Sequence, residues 1–320
     1  MAHIPVMVKE VLDALRPHPT GCYLDGTVGG GGHSAAILAA SAPAGRLLAT
    51  DADPRAIQVA ADRLAAFGDR VVLRQCWLDQ AAEVARREGF APLDGIVVDL
   101  GVSSNQLDTP ERGLSFMRDG PLDMRFDQTQ GITAAQLLGE CDVAALARIL
   151  KAYGEVAHAW RVAEAIWAAR PVTTTTQLRE VVAEAAGYRA RARRAIHPAT
   201  QVFQALRIAV NDELRRLAEA LPRLIDTLVV GGRLAVISFH SLEDRIVKTA
   251  FRAAAADADD TDTDNSGLGF GAPKRLDAAR PVARVRLVNR KPVVPRDEEV
   301  RQNPRARSAR LRVVERIDVD

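Results

Sequence analysis

The chain has 320 residues, 48% of them hydrophobic, enough for a large buried core and about two domains. Its 43 basic and 41 acidic residues nearly cancel to +2, which excludes a uniformly basic nucleic-acid coat and a wholly disordered chain. Three cysteines without a CxxC pair and six histidines without ligand spacing speak against a disulfide framework and a metal site, and the absence of a charged-then-apolar leader or long apolar run gives a soluble, cytoplasmic reading with no membrane partner.

Four short apolar runs come first: Cys22–Asp25, Arg46–Asp51, Val71-Val72-Leu73 and Gly95-Ile96-Val97-Val98-Asp99. Between them lie the Ala-rich, helix-compatible stretches 34–40, 54–67 and 78–88. Strands buried on both faces and alternating with helices predict a parallel α/β sheet. Three of the four runs end in Asp, and ligands of such sheets bind at the carboxyl ends of the strands. Asp25, Asp51 and Asp99 therefore gather at one candidate site edge.

After Gln106 the pattern changes. Residues 108–135 carry turn chemistry, in Thr109-Pro110, Arg112-Gly113 and Asp119-Gly120-Pro121. Leu146, Ile149, Leu150, Tyr153 and Val156 then recur at helical spacing until Pro171, and Thr176 is the expected N-cap of a helix that stops at Gly187. Trp160 and Trp167, one heptad apart, read as core. With no strand runs, 108–203 is expected to be an inserted helical domain between sheet-domain parts 1–107 and 204–320.

A long amphipathic helix is expected from Thr200 to about Leu228. Past Gly231-Gly232, the stretch from Arg233 to Phe239 is a buried strand, followed by a helix over 242–253, so the α/β pattern resumes. Residues 254–280, with five Asp between Asp257 and Asp264, read as a surface loop. In the tail, 282–288 and 310–314 both alternate as edge strands do. Residues 280–316 hold twelve basic and four acidic residues, a local excess suited to phosphate contacts, with Arg305 and Arg307 the leading candidates; Arg189, Arg191, Arg193 and Arg194 form a second basic cluster.

The first strand-to-helix junction reads Asp25-Gly26-Thr27-Val28-Gly29-Gly30-Gly31-Gly32-His33-Ser34. Its glycines let a ligand approach bare backbone ahead of a helix N-terminus that favours negative groups. Two cofactors compete for it. Gly30-x-Gly32-x-x-Ala35 matches the dinucleotide fingerprint and keeps an NAD-dependent oxidoreductase open. Asp25-x-Thr27-x-Gly29-x-Gly31 follows the D-x-G-x-G-x-G arrangement of S-adenosylmethionine methyltransferases, with Thr27 in place of the first glycine. Asp51, whose two oxygens suit two ribose hydroxyls, serves either. The fourth strand end, Asp99-Leu100-Gly101-Val102-Ser103-Ser104-Asn105-Gln106, favours methyl transfer to an amine: a carboxylate such as Asp99 can hold the N–H groups and raise the nitrogen's electron density, or contact the cofactor. His33 opens the first helix as a cap or a ligand contact, and His240 follows the fifth strand toward the same edge in a substrate-side or a structural role.

These stretches, together with His3-Ile4-Pro5-Val6, Asp51-x-Asp53-Pro54, the run from Arg112 to Arg125, His197-Pro198-Ala199-Thr200, Phe203-Gln204-Ala205-Leu206-Arg207, the run from Ser238 to Arg245 and Asn303-Pro304-Arg305-Ala306-Arg307-Ser308, resemble the bacterial 16S rRNA (cytosine-N4)-methyltransferases of the RsmH or MraW type, over nearly the whole chain. The resemblance implies a class I, Rossmann-like S-adenosylmethionine-dependent methyltransferase fold with an inserted all-helical domain. It implies methylation of the exocyclic N4 of a decoding-centre cytosine, usually numbered 1402, in the 16S rRNA of the small ribosomal subunit. Cofactor contacts carry over to Gly31, Gly32, His33, Asp51, Asp99 and Gln106, and to Trp77, where the family usually has Phe. Asp99 and His240 become the catalytic candidates and His197, Arg207, Arg305 and Arg307 the RNA-binding ones. A non-catalytic ribosome-assembly factor is the second alternative, and a homodimer is left open.

Overall fold

The computed structural model describes residues 5–187, 197–256 and 282–318. His3 and Ile4, the basic cluster from 189 to 194 and the acidic stretch 257–264 lie outside them.

The chain opens on α1 (Val8–Leu15), then alternates β1 (Cys22–Asp25), α2 (Gly32–Ala40), β2 (Arg46–Asp51), α3 (Pro54–Leu64), β3 (Val71–Gln75), α4 (Ala81–Arg87) and β4 (Leu93–Asp99). All four predicted runs are strands. The expected helix over 54–67 ends at Leu64, giving way to a 3-10 segment. Among the described residues six helices follow: α5 (Ser104–Asp108), α6 (Ala134–Glu140), α7 (Val143–Gly154), α8 (Ala159–Ala168), α9 (Thr175–Ala185) and α10 (Ala199–Asn211). The chain then runs through α11 (Glu213–Ile225), β5 (Leu228–Ser238), α12 (Ser241–Ala254), β6 (Val285–Leu287), α13 (Asp297–Gln302) and β7 (Arg310–Arg316).

Among the described residues seven strands form one sheet in the order β3-β2-β1-β4-β5-β7-β6. β1 to β5 are parallel, and β7 runs antiparallel to both β5 and β6. The tail strand over 310–314, expected at an edge, is therefore interior; three-residue β6 takes the edge. The reason is burial: Leu311, Val313 and Val314 are all shielded, and both sides of β7 are hydrogen-bonded. Alternate residues feed opposite faces of the sheet. Leu47, Ala49, Val97, Ala235 and Ile237 pack with α1, α2 and α3, whereas Leu48, Ile96, Val98, Leu234 and Val236 pack with α4, α11 and α12. This doubly covered parallel sheet, with order 3-2-1-4-5, is the Rossmann-like class I arrangement, and its switch point lies between β1 and β4.

Two compact units result: residues 1–101 with 214–320, and 102–213. The divisions fall at Gly101 and Glu213, against the 107 and 203 read from the sequence. Val102 and Leu107 pack into the helical core, and α10 contributes Val202, Phe203 and Leu206 to it. The expected long helix from Thr200 is two helices, because Asp212 adopts a left-handed conformation (φ 53°) that ends α10 by donating its N–H to Ile208 O. The cap of α9 is Thr174 rather than Thr176, its Oγ1 accepting from Gln177 N. Trp160 and Trp167 are not core: they are 54% and 50% exposed, because α8 buries its small stripe of Ala159, Val162, Ala163 and Ile166 instead. Among the described residues no helix is long and apolar enough to cross a membrane, and the three cysteines are free and half-buried.

Candidate active site

Asp25 ends β1 fully buried. Its carboxylate accepts from Ser34 Oγ (2.6 Å) and from Thr27 N (3.2 Å). Burial raises its pKa, opposed by His33 and by these hydrogen bonds. Thr27, the residue that replaces the first glycine of the loop, ties β1 to β4, since its Oγ1 accepts from Asp99 N at 2.7 Å. In the sequence Thr27 is only a departure from the glycine pattern; in the fold it bridges two strand ends, its N–H donating to Asp25 and its hydroxyl accepting from Asp99 N.

Two glycines of the loop have distinct steric reasons. Gly31 is the N-cap of α2 with φ 75°, left-handed backbone that resists a side chain. A Cβ on Gly32 would sit 2.7 Å from Pro5 Cγ, so the N-terminal segment packs directly on the helix start. The same segment reaches His33, whose Nε2 lies 2.8 Å from Val6 O. With Nε2 engaged by that carbonyl, the other ring nitrogen is turned to Asp99, Nδ1 lying 3.7 Å from Oδ2. His33, expected as a cap or a ligand contact, is a buried link between the chain's start and the fourth strand end.

Asp51 ends β2, beside β1. Oδ2 accepts from Gly29 N and Oδ1 from Asp53 N, each at 2.9 Å. One backbone donor per oxygen leaves each oxygen capacity for another. Burial lifts its pKa to about 6 against the pull of those two bonds. Asp53 is the N-cap of α3, accepting from Arg55 N. Trp77 follows β3 by two residues, and β3 is paired with β2 so that Gln75 stands opposite Asp51.

Asp99 ends β4 across the switch point from Asp25. Its Oδ1 is buried and has no hydrogen-bond partner among the described residues. Burial pushes its pKa to about 6; His33 opposes this, and Asp25 and Glu243 reinforce it. An unpartnered buried carboxylate oxygen is costly unless a ligand supplies a donor. The rim thus offers acceptors at Asp51 and Asp99 and a bare glycine turn beside them. This set of acceptors fits S-adenosylmethionine, which brings ribose hydroxyls and an ammonium group as donors. Among the described residues no cluster could hold a metal ion.

His240 has a structural occupation. It is the N-cap of α12, with Nδ1 accepting from Glu243 N (3.4 Å) and Nε2 3.0 Å from Glu243 Oε1. Glu243 Oε2 in turn takes Phe239 N and His240 N. Arg305 and Arg307 are exposed on the turn Pro304–Ser308 before β7. The remaining predicted residues belong to the helical unit. Gln106 forms a capping box with Ser103 at the start of α5. His197 accepts from Ala199 N and stacks 5.2 Å from Phe116, burial lowering its pKa. Arg207 is committed to Glu213, its Nε and Nη2 donating to both carboxylate oxygens at 2.8 and 2.9 Å.

A family model described as the MraW methylase family matches residues 1–317. The chain is 49% identical to the ribosomal RNA small subunit methyltransferase H of Geobacter sp. (strain M21), with 98% of each covered. It is 47% identical to the protein of that name from Heliobacterium modesticaldum, again with 98% of each covered. For the one from Thermomicrobium roseum the identity is 48%, over 99% of this chain and 94% of the relative.

Proposed function

The chain belongs to the MraW methylase family, and on that premise we propose that it methylates the exocyclic N4 of a decoding-centre cytosine, position 1402, in the 16S rRNA of the small ribosomal subunit, with S-adenosylmethionine as donor. The observation that carries this reading is Asp99: a buried carboxylate with one unanswered oxygen, at the switch point beside the glycine turn, and with a pKa near 6.

When bound, S-adenosylmethionine supplies a methyl group on a good leaving group, so the protein's task is positioning and proton handling. Asp51 accepts the ribose hydroxyls with the free capacity of its two oxygens. Gly31, Gly32 and His33 shape the turn, and Trp77 gives the adenine an aromatic face. Gln106 completes the proposed cofactor set. Asp99 is ionised at neutral pH and accepts an N–H, from the cofactor's amino group or from the target amine. An amine that gains a methyl must shed a proton, and a rim carboxylate is a competent acceptor. His240 acts through Glu243, whose charge raises the pKa of Asp99, as much as toward substrate.

The target base leaves its stack to reach the rim. His197, Arg207, Arg305 and Arg307 are the proposed RNA contacts, of which Arg305 and Arg307 stand exposed and Arg207 already holds Glu213. The assembled small subunit is the expected substrate and the cytoplasm the expected location. Family membership leaves no ground for the NAD reading of the glycine loop, and the named relatives are methyltransferases, not assembly factors.

The test uses undermethylated small subunits and S-adenosylmethionine tritiated on the methyl group. Label on N4 of the decoding-centre cytosine is expected, lost in Asp99→Ala with the fold intact. Binding of NADH without S-adenosylmethionine, or full activity of Asp99→Ala, overturns the reading.

A further inference from the structure

We propose that Arg216 is a positioning residue for the cofactor: its guanidinium backs the Trp77 indole and fixes the plane on which the adenine stacks. This rests on the placement of the adenine at Trp77 and adds a residue that the loop and strand-end motifs do not contain.

Arg216 Cζ lies 4.1 Å from the Trp77 ring centroid, well inside cation–π range, and indole is the strongest partner for such a contact. The guanidinium is held there from the side. Its Nη1 donates to both oxygens of Asp79, at 2.9 and 3.0 Å, and Asp79 is two residues from the indole. A second tie comes one heptad later, where Arg223 Nη1 donates to the Asp79 carbonyl at 3.0 Å. Both arginines rise from α11, which is itself anchored in the core by Leu217, Leu221 and Leu224. Arg216 Nε is buried and without a hydrogen-bond partner among the described residues, so the ring face and Asp79 are what hold the plane.

A bare indole on a short connection after β3 would sample several rotamers, and binding would have to order it. Backed by the guanidinium that Asp79 holds in place, it is ordered before a ligand arrives. The position is right for the purpose: Trp77 lies two residues past the strand partner of Asp51, the acid that takes the ribose. Ribose and adenine of one ligand then meet neighbouring strand ends. The guanidinium also draws π density toward one face of the indole, which eases stacking of a second π-system on the other.

In a Trp160→Phe, Trp167→Phe background, Trp77 is the sole tryptophan of the full-length chain. S-adenosylhomocysteine is the probe. Its binding is followed by Trp77 emission and, separately, by calorimetry, and KM for S-adenosylmethionine and kcat are measured on small subunits. For Arg216→Ala the expectation is a Kd and KM higher by roughly three- to thirtyfold, kcat within about twofold, and a red-shifted Trp77 emission without ligand. Arg216→Lys, charged but not planar, recovers part of the affinity; Arg216→Gln, planar but neutral, recovers less and serves if the alanine variant does not fold. Unchanged Kd and emission in any folded neutral variant, or loss of kcat at unchanged KM, overturns the proposal. If the probe binds by calorimetry but leaves Trp77 emission unchanged with Arg216 intact, the adenine seat itself is refuted, and the role of Arg216 falls with it.

Discussion

His33 Nδ1 stands 3.7 Å from Asp99 Oδ2 while its Nε2 is bound to the Val6 carbonyl. One imidazole thus joins the N-terminal segment to the carboxylate on which the proposed chemistry depends. Asp99 and Asp51 both titrate near pH 6, raised by burial. Only the ionised carboxylates accept a ligand's N–H and O–H donors through every oxygen. Calorimetric Kd for S-adenosylmethionine is therefore expected to be flat above pH 7 and to weaken as pH falls through 6, with proton release on binding near that pH. His33→Gln keeps a donor for Val6 O but removes the group that opposes Asp25 and Glu243 around Asp99. The acid limb should then move up by about half to one pH unit. An unmoved limb would show that His33 does not tune Asp99.

The same shift has a stability consequence of opposite sign. A folded pKa above the unfolded one means that the native state holds more protons between about pH 4 and 6. Ligand-free stability then falls as pH rises through that window and stays low above it. Asp99→Asn removes the buried charge, its side chain being only 18% exposed. The ligand-free variant should unfold about 1–3 kcal/mol less readily than the parent at pH 7, with the difference gone below about pH 4. Denaturant melts at the two pH values check this. A destabilised Asp99→Asn at pH 7 would mean that Asp99 is held by partners rather than poised for a ligand.

The sheet was legible because its strands are buried on both faces and read as unbroken apolar runs, and three of them end in Asp. The site edge followed from that alone. What escaped the sequence were decisions made by distant partners. Thr27 reads as a missing glycine until Asp99 N is found on its hydroxyl. Arg216 sits on an ordinary amphipathic helix until Trp77 and Asp79 are brought beside it. Trp160 and Trp167 have the heptad spacing of a core stripe, yet α8 turns its small residues inward, and only packing chooses between two stripes of one helix. Asp212 breaks a continuous amphipathic pattern because the left-handed cap closes α10, a choice that periodicity does not register.

The basic residues divide into two groups that mutation should separate. Arg207 forms a fork with Glu213, both side chains 13% exposed. Arg207→Ala takes both of these charge-assisted hydrogen bonds from a shielded carboxylate and should lower stability by about 1–3 kcal/mol, read as a lower melting temperature. Arg307→Ala, on the exposed turn before β7, should leave melting unchanged. It should weaken binding to small subunits and reduce the salt-dependence slope by about one. A destabilised Arg307→Ala with an unchanged slope would remove the tail from the RNA surface.

Gly32 offers a purely steric test of how the chain's start supports the site. A Cβ there would lie 2.7 Å from Pro5 Cγ and 2.8 Å from Pro5 Cβ, closer than carbon atoms approach. Pro5 is followed directly by Val6, whose carbonyl holds His33, so relief of the clash must displace that bond. Gly32→Ala is expected to cost about 1–3 kcal/mol in folding. It should also raise the Kd for S-adenosylmethionine, because His33 loses the anchor that aims Nδ1 at Asp99. Gly30→Ala is the control: nothing lies within 4 Å of its Cβ position, so its ligand-free melting temperature should match the parent. Equal melting of Gly32→Ala and Gly30→Ala would show that the N-terminal segment does not bear on the glycine turn in solution.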